Sequence, residues 1–459
     1  MEVLLEISRV FMLTYALAFV MPIFWIVLFL VYLQYRRQLL TEKKLFGRAI
    51  NNLGKQMLTS VGLGAVGGIA ASIVLVFLGL SLEQIGLYFI WPVALLLLLL
   101  NPRYLCFSYA GGIVALLVLF TRYILTDLFP GLSENLMVEA LLKIHIPALL
   151  VLIGLLHLIE AFLIYFGAHQ GSSPVYLKQE SGGVIGAYLL QRFWPIPLVG
   201  LLVSVVLQSE IVGVSMPDWW PILQSTIQPG EGQSLQYMVI PVAAGLGYAD
   251  IAISSSPRER SRFSAKWLAA YSIVLLIIAI ASEYYPSLII IGVILAPVGH
   301  EILIIYGKKR EEKRPSYYQF TPHGVQLMTV LPGSSAMEAG LQEGDKITGI
   351  NNMEVNSTRE LMTKIDESYF MVFVEGIRDG SHFSVILKKE AGTRTDTGRI
   401  YNDQMRPASS SLLLHRCVEL GVIPVPEPDS PVYLEARKPD TLGWIRKIKK
   451  RIKVMLRIS

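Results

Sequence analysis

From residue 10 to residue 306 the chain is a succession of apolar runs, and from 307 onward it is not. A helix needs about 20 predominantly apolar residues to cross the hydrocarbon core of a bilayer. The first region supplies such runs one after another, more than a water-soluble fold could bury. Hydrophobic residues make up 53% of the chain and charged residues 16%, with a mean hydropathy of +0.51. A polytopic membrane region, 1–307, followed by a region of soluble composition is the reading this division supports.

Nine spans are expected, near 10–33, 57–80, 84–100, 105–121, 147–166, 193–208, 237–253, 267–282 and 286–306. The sixth and seventh are the weakest, because Pro195, Pro197 and Pro241 interrupt short runs, and re-entrant or kinked helices are the competing reading. Lys and Arg cluster in alternate connections: Arg36 to Lys55, Arg103, Lys178 with Arg192, and Arg258 to Lys266. Under the positive-inside rule these lie in the cytoplasm, whereas 209–236, which has no Lys or Arg, lies outside. The basic stretch GKKREEKRP at 307–315 then places everything downstream in the cytoplasm and the N-terminus outside. Arg36 and Arg37 follow the first run where a cleavage site would stand, so that run reads as a retained helix. Gly64 and Gly68 form a small-xxx-small pair that lets two helices approach closely, within the bundle or as a self-association face. Trp219 and Trp220 read as headgroup-level anchors.

After 316 the pattern changes to short strands and helices. Pro332-Gly333 makes a turn, Ala336 and Ala339 mark a short small-residue helix, and Gly344-Asp345 makes a tight bend before a strand at 346–350. Ser357 with Glu360 reads as a capping box opening a helix to about Asp366, and Asp379-Gly380 joins strands near 370–376 and 382–388. The stretch VLPGSSAMEAGLQEGDKITGINN, 330–352, resembles the centre of bacterial-type PDZ domains. The fold class expected is therefore a polytopic α-helical membrane domain of about nine spans followed by a small α+β PDZ-like domain, 316–390. PDZ domains take an extended peptide as an added strand. By that resemblance the peptide-binding residues are Gly324, Val325, Gln326 and Leu327 on the pairing strand, with Thr358 and Met362 facing the groove from the helix.

No catalytic residues, metal ligands or cofactors are expected. The HEILI segment at 300–304 has Ile304 where a zinc-protease HExxH motif needs its second histidine. His157, Glu160, Asp250, His300 and Glu301 are ionisable groups in apolar runs, for which interhelical hydrogen bonding is the plainer reading. Cys106 and Cys417 give no disulfide framework and no metal spacing. The net charge of +5 supports no nucleic-acid partner.

The order of features resembles the MinJ family of Gram-positive bacteria: a multi-span domain, GYADIAISSSP at 247–257, LAPVGHE at 295–301 leading into a basic stretch, then a PDZ domain. That resemblance implies a membrane scaffold in cell-division site selection at septa and poles, with division or Min-system proteins as partners and no enzymatic activity. The alternative is an inactive or regulatory relative of PDZ-containing intramembrane proteases. Residues 391–443 read as a linker. The segment 444–459 reads as a basic amphipathic helix whose partner is membrane lipid.

Overall fold

The computed structural model describes residues 2–388, except 180, 181, 211, 212, 215, 369 and 370, together with 409–435. Helix α1 (Glu2–Ala18) ends shortly before Pro22, and α2 (Pro22–Phe46) starts there, because proline suits a first helical turn whose N–H needs no partner. The first expected span is thus two helices. Asn52 caps α3 (Leu53–Leu78), accepting the Lys55 backbone N–H at 3.0 Å. Next come α4 (Leu87–Leu100), with Pro92 inside it, and α5 (Phe107–Phe120), which runs through a π-turn into the short α6 (Thr126–Leu128). Helix α7 (Leu136–Leu142) leads to α8 (Ile146–Gly167), the most buried of the long helices.

Three strands follow: β1 (Ser173–Lys178), β2 (Val184–Leu207) and β3 (Gln233–Ala252). Two long helices, α9 (Pro257–Tyr284) and α10 (Leu288–Lys313), complete this region. Among the described residues, six helices are long and apolar enough to cross a membrane: α2, α3, α5 continued to Leu128, α8, α9 and α10.

The expected sixth and seventh spans are the hairpin β2–β3, paired from Leu207↔Gln233 down to Tyr188↔Ala252. This corrects the count of nine helices. Two interior prolines in a helix would each cost about 3 kcal/mol, whereas the strand places them where no ladder bond is lost. Pro195 and Pro197 turn their carbonyl oxygens toward α3, since a Cβ added at Gly64 or Gly68 would lie 2.2 or 2.1 Å from them. In a strand the N–H of a residue points the same way as its C=O, so the missing donors face α3 and not β3. The flanking donors on that edge are used. Phe193 N–H donates to the Tyr35 hydroxyl at 3.2 Å and Val199 N–H to Ser72 Oγ at 2.8 Å. Backbone outside helices is tolerated at membrane depth when protein satisfies it, and the N–H groups of Phe193 and Val199 meet that condition. The small-residue pair Gly64/Gly68 therefore admits a strand rather than a second helix.

The hairpin also spans the height of α3. Near its base, Arg192 Nε donates to Gly167 O at 3.2 Å, while farther along Leu201 bridges Ser81 just past the C-terminal end of α3. Beyond the tip side, Leu223 N–H donates to Leu78 O at 3.0 Å, and Trp220 Nε1 donates to Val76 O at 3.0 Å. Trp220 and Leu223 thus lie at the opposite end of α3 from Lys55.

The second region contains β4 (Val325–Val330), α11 (Ser335–Glu338), β5 (Lys346–Ile350), β6 (Met353–Glu354), α12 (Thr358–Glu367), β7 (Met371–Arg378) and β8 (Ser381–Lys388). The expected turn at Asp379-Gly380 is present, with φ of 49° and 81° and Arg378 paired to Ser381. Ser357 caps α12 by accepting the Glu360 N–H at 3.2 Å, while the Glu360 carboxylate turns back to Asn356 N–H at 2.8 Å. Arg378 makes a fork to buried Asp345 at 2.6 and 2.7 Å, tying the bend before β5 to the end of β7.

Residues 409–435, expected as part of a linker, form α13 (Ser409–Leu420), β9 (Val422–Pro424) and β10 (Leu434–Glu435). Strand β9 extends the PDZ sheet to the order β8-β7-β5-β4-β9, and β10 pairs in parallel with β1 of the membrane region. The basic segment 444–459 lies outside the described residues.

Candidate peptide-binding groove

A PDZ groove is the gap between a sheet edge with unpaired backbone groups and the helix beside it. Here the edge is β4 and the helix is α12. Strand β9 lies in that gap. Leu327 pairs with Pro424, Thr329 with Ile423 and Val330 with Val422, antiparallel. Beyond these pairs Val425 N–H donates to Gln326 O at 2.8 Å, and Leu331 N–H donates to Gly421 O at 2.7 Å. The Glu427 carboxylate closes the arrangement by accepting Thr358 N–H, in the first turn of α12, at 3.0 Å. A helix N-terminus favours an anion through its free N–H groups and its dipole. The chain's own segment thus runs along the edge as an added strand and ends on a carboxylate.

Of the six sequence-expected residues, Gly324, Val325, Gln326 and Thr358 border the pocket at this end, Leu327 pairs with Pro424, and Met362 lies in the domain core. Gly324 sits just before β4 with φ +80° and would bring a Cβ within 2.7 Å of Ile347 O, so glycine is required by the turn itself. Its N–H donates to Asn356 Oδ1 at 3.2 Å. Val325, Leu327 and Met362 are buried in the domain core rather than lining an open groove. Gln326 supplies the carbonyl and Thr358 the N–H that hold 425–427. A shallow pocket remains at this end, bordered by Phe320, Thr321, Asn356, Val425 and Glu427.

The inserted segment is packed on both sides. Cys417, Leu420 and Val422 belong to the PDZ core, while Ile423 and Val425 join the core shared with the membrane region. Tyr176 of β1 donates its hydroxyl to Pro424 O at 2.6 Å, and Tyr188 of β2 donates to Met328 O at 2.7 Å. Arg416 of α13 pairs with Asp366 of α12. Each fully buried Val or Ile is worth about 1.5–3 kcal/mol, so Val422, Ile423 and Val425 together hold β9 down firmly. Sequence reasoning missed this segment because Pro424, Pro426, Pro428 and Pro431 gave it the look of a linker. The available signal was the apolar run Val422, Ile423, Val425 followed by an acid.

The ionisable groups flagged in the apolar runs also have places. Asp250, at the end of β3, receives Arg260 Nε at 2.8 Å and Nη2 at 3.0 Å, and Arg260 Nη1 reaches Gly307 O at 2.9 Å. That ties the hairpin base to α9 and α10. Glu301 is paired with Arg103 and accepts the Tyr109 hydroxyl at 2.5 Å. His157 and His300 come together with Cys106, the one group of three side chains among the described residues whose donor atoms could hold a metal ion.

A family model described as "PDZ domain" matches residues 327–367. "Cell division topological determinant MinJ" of Bacillus subtilis (strain 168) is 26% identical over 229 residues, covering 50% of this chain and 54% of the relative. "Probable cell division topological determinant MinJ" of Lacticaseibacillus paracasei is 26% identical over 267 residues, covering 56% of this chain and 66% of the relative. The chain is MinJ-like. The match reaches over roughly half to two thirds of these MinJ relatives, and both are named as determinants of division topology rather than as enzymes.

Proposed function

We propose that this chain is a membrane-anchored adaptor in division-site selection whose PDZ groove is held by its own residues 421–427 until a partner strand replaces them. The observation that supports the reading is the registered pairing of β9 with β4, ending on the Glu427–Thr358 contact. The names of the MinJ relatives supply the cellular process. The basic stretch 307–315 supports a PDZ domain on the cytoplasmic side, where division proteins assemble.

Tethering decides the behaviour of such a groove. A segment joined to its site by a short connection acts at an effective concentration of about 1 mM. A free partner at about 1 μM therefore competes at a roughly thousandfold disadvantage unless its own strand fits better or it is itself concentrated at the septum. The groove is thus selective for partners that are locally abundant on the membrane. A photoreactive residue replacing Gln326 tests this in dividing cells. The expected result is two products, one internal to 421–427 and one to a division protein; an internal product alone would overturn the proposal.

A further inference from the structure

The group formed by Cys106, His157 and His300 draws one donor from each of three helices: the N-cap of α5, the middle of α8 and the middle of α10. Their ligand atoms all lie within 4.8 Å of one another. Cys106 Sγ is 3.2 Å from His157 Nε2. On its other side His157 Nδ1 is 2.7 Å from Ile153 O, a contact that fixes the proton on Nδ1 and leaves the Nε2 lone pair aimed at the thiol. Metal-binding histidines are held by this kind of backbone contact. His300 Nδ1 is enclosed and has no hydrogen-bond partner, and its ring centroid is 5.0 Å from that of His157. An enclosed nitrogen without a partner costs free energy, and a cation would supply the missing contact.

We propose that Cys106, His157 and His300 form a binding site for a divalent transition metal of borderline softness, with zinc as its representative. One sulfur and two imidazole donors suit such an ion. Tetrahedral coordination places donor atoms about 3.5 Å apart, so the present spacing closes by side-chain rotation of about 1 Å. On binding, Cys106 gives its thiol proton to solvent and coordinates as thiolate. The neighbouring Arg103 is already neutralised by Glu301. Glu301, engaged in this way, is not free to act as a general base, so the site's role is to clamp α5, α8 and α10. The missing histidine at Ile304 is no obstacle, because the donors come from separate helices and not from one HExxH turn.

The full-length protein, purified in detergent and dialysed against zinc, is expected to retain about one zinc per chain. Cys106→Ser and His300→Ala should each weaken retention about tenfold or more, whereas Cys417→Ser should leave it unchanged. Since a variant could fail to fold, cobalt added to the wild-type chain provides a second readout: a sulfur-to-cobalt charge-transfer band that zinc bleaches. Folded wild-type protein with no bound zinc and no such band would overturn the proposal, leaving a Cys106–His157 hydrogen bond alone.

Discussion

The Glu427 carboxylate accepts the backbone N–H of Thr358 at 3.0 Å, so a residue from beyond the last strand of the PDZ domain caps the helix that walls its groove. Removing a cap of this kind costs about 1 kcal/mol, which is roughly a fivefold rise in the undocked population. Cys417 reports that population. It is fully buried on α13, and burial pushes its thiol up to about 12, so the docked form has almost no thiolate to react. Glu427→Ala should speed alkylation of Cys417 about fivefold at neutral pH, read by mass spectrometry on the Cys417 peptide. An unchanged rate would mean that Glu427 does not help hold the segment.

The contact between Val199 and Ser72 yields a second test. Ser72→Ala leaves Val199 N–H without an acceptor deep in the protein, at a cost of about 1–3 kcal/mol. Gly68→Ala should be at least as damaging, because the new Cβ meets Pro197 O at 2.1 Å. Gly62→Ala, which meets nothing within 4 Å, should be neutral or stabilising by up to about 1 kcal/mol. Thermal unfolding in detergent separates these three. Equal melting temperatures would show that β2 is not seated on α3.

A third expectation concerns sidedness. Gln228 lies in the connection after β2, while Lys308 on α10 follows Gly307, which Arg260 ties to the hairpin base, and both are exposed. In intact cells Gln228→Cys should react with an impermeant maleimide, and Lys308→Cys should react only after permeabilisation. Reaction of both from one side would mean that the hairpin does not cross.

How much of this was legible beforehand depended on whether a signal was local. The PDZ turns were readable because Gly and Asp at positive φ leave a mark at fixed positions, as at Asp379-Gly380. Helices α3, α8, α9 and α10 were readable from length and apolarity alone. The hairpin was not, since a strand whose edge is satisfied by Tyr35 and Ser72 depends on residues more than a hundred positions away. Prolines 195, 197 and 241 argued against helices, yet nothing local said what took their place. Strand β9 was hidden for the same reason: its partner, β4, lies about ninety residues earlier. Cys106 carried no motif at all until α8 and α10 brought two histidines to it.

Hydrogen exchange of the full-length chain in a lipid nanodisc tests the central claim, that the PDZ groove is filled by the chain's own segment. The account predicts slow exchange across 421–427, where Val425 N–H is held by Gln326 O at 2.8 Å, with matching protection at Leu331, whose N–H is held by Gly421 O at 2.7 Å. Exchange of 421–427 at the rate of a free chain, while the β7–β8 hairpin stays protected, would contradict it.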